Sequence, residues 1–67
     1  MKTFREQLAE IVALRKKRFG TPEALTRARL ILMVDVNPDN LTPELDRDPG
    51  MIERLRRAAA ELGIQVG

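Results

Sequence analysis

Ten carboxylates and twelve cationic side chains are almost the whole of this chain's reactive chemistry, because it contains no His, Cys, Ser, Tyr or Trp. General acid–base catalysis near neutral pH draws most often on His, and covalent catalysis on Ser, Cys or Lys. Apart from the carboxylates, three Lys, nine Arg and four Thr remain. Two carboxylates can share acid and base roles, but only inside a shaped pocket. A chain of 67 residues has little material for both a core and a pocket. The expectation is a protein that is not an enzyme and works by binding. With neither Cys nor His, disulfides and the common zinc ligand sets are excluded.

The cations are the next candidates. Arg15, Lys16, Lys17 and Arg18 form a continuous basic run, and Arg54 and Arg57 stand three apart on a second stretch of helical pattern. Such groups can neutralise phosphates, and Arg on a helix can read guanine edges. They also have a plainer use. Four consecutive residues point around most of a helix, and cations in a last turn offset the helix dipole. The aromatic content is 3% and no aromatic base platform is interleaved with the run, which argues against stacking on single strands. The charge is uneven along the chain: residues 1–29 carry +5 and residues 30–67 carry −3, within a total of +2. That asymmetry points to a polyanion at one end or to head-to-tail complementarity between copies.

One stretch has metal-ligand spacing. Asp35, Asn37 and Asp39 alternate, and Asp46 follows at the twelfth position counted from Asp35. The stretch resembles a calcium loop of the EF-hand kind, and more closely the dockerin variant, which ends in Asp. The resemblance implies calcium held by those side chains and by the Leu41 carbonyl. It covers 12 of the 67 residues. The sixth position is Asn40 rather than Gly, Asp46 is shorter than the usual Glu, and Pro49 soon interrupts the helix that should follow. The expectation is a polar turn with Asx hydrogen bonds and no cofactor. The segment Val36–Leu45 also resembles the one before the modified serine of acyl carriers, a function excluded here by the absence of Ser.

These groups need elements to position them. Thr3-Phe4-Arg5-Glu6 is a capping box, and Phe4, Leu8, Ile11, Val12 and Phe19 follow at helical spacing up to Gly20. This predicts a helix over about 4–19. Thr21 as cap and Pro22 at the first position restart the chain. Leu25, Ala28, Leu32 and Val36 then lie on one helical face, but Leu30–Val34 is apolar all round. The run predicts a second helix buried on all sides to about residue 35, or alternatively a strand at about 30–36 in a small α/β fold. Asn37–Asn40 is turn chemistry, and Thr42-Pro43-Glu44 can add a single helical turn. Asp48-Pro49 opens the last helix, with a seam of Ile52, Leu55, Ala59 and Leu62, and Gly63-Ile64 closes it as a Schellman ending. Gln65–Gly67 reads as a tail, or as a very short strand in the α/β alternative.

Together these patterns predict an all-α domain over residues 1–67, built of three helices. A chain this small buries only roughly 60% of its unfolded surface. Its apolar central run therefore predicts self-association, probed first at Leu25, Ala28, Ile31, Leu32 and Val36 as the core of a dimeric bundle. The function expected is a small regulator, adaptor or inhibitor that binds a protein partner through a helical face. The alternative is a small basic nucleic-acid-binding regulator using Arg15–Arg18 with Arg54 and Arg57. The linker between the long helices is too long for a helix-turn-helix, unless Thr42–Leu45 forms a short helix of its own. The longest apolar run is well short of the about 18 residues of a membrane span, and no secretory leader pattern is visible. No membrane partner is expected, and the cytoplasm is the expected location.

Overall fold

Four α-helices and one 3₁₀ turn make up the chain, which a computed structural model describes over residues 2–65. The tail expectation for Val66 and Gly67 lies outside the described residues. The all-α reading holds. Helix α1 runs Phe4–Phe19, α2 Glu23–Val34, α3 Pro43–Asp46 and α4 Pro49–Glu61, with the 3₁₀ turn at Pro38–Asn40. No strand forms among the described residues. Residues 30–34 complete α2, and Asp35 ends it in the left-handed conformation with its N–H on the Ile31 carbonyl. Asp is one of the few residues that accept that conformation readily.

Most ends follow local chemistry. Thr3 and Glu6 form both halves of the capping box. The Thr3 backbone N–H and hydroxyl hold the Glu6 carboxyl below the usual glutamate range. Gly20 closes α1 at φ 70°. Thr42 caps α3 and Asp48 caps α4, each followed by Pro in the first turn. At the end of α4 the Ile64 N–H reaches the Ala59 carbonyl and the Gly63 N–H that of Ala60, the two bonds of a Schellman motif. The start of α2 differs from expectation. Thr21 does not cap it: Pro22 is the cap residue, its carbonyl accepts from Leu25 and Thr26, and no side chain assists. An extended Pro22 (ψ 138°) delays the helix by one residue.

Helices α1, α2 and α4 pack pairwise around one core. It is built from Phe4, Leu8, Ile11 and Val12 of α1, Leu30 and Val34 of α2, and Ile52, Leu55, Ala58 and Ala59 of α4, with Leu41 and Ile64 closing it. The small residues Ala58 and Ala59 let α4 approach its neighbours closely. A radius of gyration of 10.9 Å is what a tightly folded chain of this length has. Two expectations are corrected. Phe19 lies outside the core, 59% exposed. Helix α2 is not buried on all sides: Thr26, Leu30 and Val34, at intervals of four, form its only fully buried row.

Candidate interaction surface

The burial of one row of α2 dictates what its opposite side presents. At about 3.6 residues per turn, Leu25, Ala28 and Leu32 fall across the helix from Thr26, Leu30 and Val34. All three are exposed, Leu25 at 58% and Leu32 at 80%. Ala24 joins them, a residue that the sequence reading did not single out. Ile31 and Val36 are half-buried at the margin, and Val36 packs against the core. The outward face of α2 is thus an apolar strip bordered by Arg29 and Asp35. Its signal was in the sequence as an apolar excess, but the excess did not say which side would face inward.

The basic groups are divided rather than gathered. Arg15 turns inward, and its guanidinium donates to the buried Thr26 hydroxyl at 3.2 Å. Lys16 pairs with Glu23 at 3.8 Å. Lys17 and Arg18 are exposed, with no ion pair among the described residues. Of the four, Arg15 and Lys16 thus reach the N-terminal half of α2. Arg54 sits at the other end, where its Nη2 donates to the Val34 carbonyl at 2.6 Å. It caps a helix whose own last turn contains no cation, satisfying a carbonyl that the helix leaves open. Arg57 pairs with Glu53 on its own helix. Thr26 and Val34 are eight residues apart, about 12 Å of helix rise, so the two basic groups do not share a patch. Helix α3 does form, but four residues give a single turn, too little to brace a recognition helix across a DNA backbone.

The loop with calcium-like spacing is organised by other bonds. The Asn37 side chain accepts from the Asp39 N–H at 3.0 Å, and Asp39 faces Arg27 at 3.7 Å. Asp46 accepts from the Arg5 N–H at 3.0 Å. Among the described residues no three acidic side chains gather where a metal could be held. Calorimetry with calcium is expected to show no binding tighter than about 10 μM, the weak end of sensor loops. A tighter constant that disappears in Asp35→Ala would contradict this.

Arg5 is a structural cation that the sequence reading passed over. Its Nε donates to the Pro38 carbonyl at 3.1 Å and its Nη2 to that of Leu41 at 3.0 Å. A cation in the first turn of a helix opposes the dipole, and that misplacement was the available signal of another role. Among the described residues no helix is long and apolar enough to cross a membrane. No family model, curated protein or solved structure matches the chain, so its function is read from this geometry.

Proposed function

We propose that this chain is a non-catalytic interaction module that docks a protein partner on the outward face of α2. The observation that carries the reading is the exposed strip of Leu25, Ala28 and Leu32 on a helix whose other side is core. Isolated exposed leucines are ordinary, whereas a row of apolar side chains along one helix face is the form taken by helix-docking surfaces. The partner chemistry follows from the borders. A complementary surface offers an apolar helix face with an acidic group toward Arg29 and a basic group toward Asp35.

A nucleic-acid-binding role has one observation in its favour, the exposed Lys17, Arg18, Arg29 and Arg47, which have no ion pair among the described residues, in a chain of pI about 9.7. Against it stand the engagement of Arg15, Lys16, Arg54 and Arg57 with groups of the chain itself. Lys17, Arg18, Arg29 and Arg47 are spread over α1, α2 and the end of α3, so they make few phosphate contacts on any one surface, and binding that weak fades at physiological salt. The test is capture from a lysate of the source organism, with and without nuclease, by the chain and by its Leu25→Asp/Leu32→Asp variant. A protein retained after nuclease and lost with the variant supports docking on α2. Recovery that ends with nuclease and ignores the variant overturns it in favour of the nucleic-acid reading.

A further inference from the structure

We draw no further inference here: the strongest candidate, the hollow of about 260 Å³ between α1, α2 and the 3₁₀ turn, carries nothing, because Leu8 and Val12 in its floor are already closed at 5% and 7% exposure and its two guanidinium groups are engaged by the chain itself, Arg5 with the Pro38 and Leu41 carbonyls and Arg27 with Asp39, so that nothing in the structure points to a ligand.

Discussion

Leu30→Asp is expected to abolish folding, while Leu32→Asp, two residues along the same apolar run, leaves the monomer folded. Leu30 is 1% exposed between α1 and α4, and Leu32 is 80% exposed on the far side of the same helix. Removing a buried Leu costs about 2–5 kcal/mol, and forcing a carboxylate into its place adds the penalty of an unpaired buried charge. The whole stability of a chain this size is of the order of 3–10 kcal/mol, so the sum exceeds or exhausts it. At Leu32 the carboxylate stays in water and the cost is limited to helix propensity, some tenths of a kcal/mol. Far-UV circular dichroism with a urea titration separates the two variants. Equal destabilisation of both would mean that α2 is buried on both sides, and the reverse order that it is rotated from the orientation described, with Leu25 and Leu32 inward. A milder pair, Leu30→Ala and Leu32→Ala, gives the same ordering without a new charge. Only the first is expected to move the urea midpoint by more than the equivalent of about 2 kcal/mol.

That contrast also marks the limit of what the sequence discloses. The helix ends were legible because their causes are local. Thr3 with Glu6, Asp48 with Pro49, and Gly63 with Ile64 each act within a few residues of the end they set. The start of α2 was misread for a local reason too, since Thr21 before Pro22 is the stronger cap signal and the extended Pro22 backbone overrides it. The facing of α2 was not legible, because a helix apolar around its circumference gives periodicity nothing to select. The burial of one row is decided by α1 and α4, which supply the complementary apolar seams. The candidate site shows the same division. Leu25, Ala28 and Leu32, expected at the core of a dimer, are exposed in the single chain, and Arg54, expected as a nucleic-acid contact, is bound within the chain. Its partner, the Val34 carbonyl, is 20 residues away, and no local pattern records such a bond. Asn37 was recognised correctly as an Asx acceptor, because its partner is only two residues on.

Arg5→Ala is expected to destabilise the 38–46 segment, although local helix rules predict the opposite. Considered along α1 alone, the change is favourable: it removes a cation from the positive end of the dipole, worth about 0.3–1 kcal/mol, and installs the best helix former. Against this stand two charge-assisted bonds from one guanidinium to the Pro38 and Leu41 carbonyls, 33 and 36 residues away. Bonds of that type contribute about 1.5–3 kcal/mol each. These are only partly buried, so the freed carbonyls can turn to water and the lower end applies. The balance is a net loss of about 2 kcal/mol. It should fall on the segment rather than on the whole chain, because Asp46 keeps its bond to the backbone N–H of residue 5. Native-state hydrogen exchange can localise it. Faster exchange is expected at the amides of Asn40, Leu41 and Leu45, which bond to Asn37, Pro38 and Thr42 within the segment, with little change in the middle of α1. Arg5→Lys should recover less than half of the loss, since one ammonium cannot reproduce a planar fork that meets two carbonyls together. If Arg5→Ala instead raises the urea midpoint, the dipole term prevails and the guanidinium bonds hold nothing in place. Loop 38–46 would then owe its position to Pro38 and Leu41, the two side chains it buries.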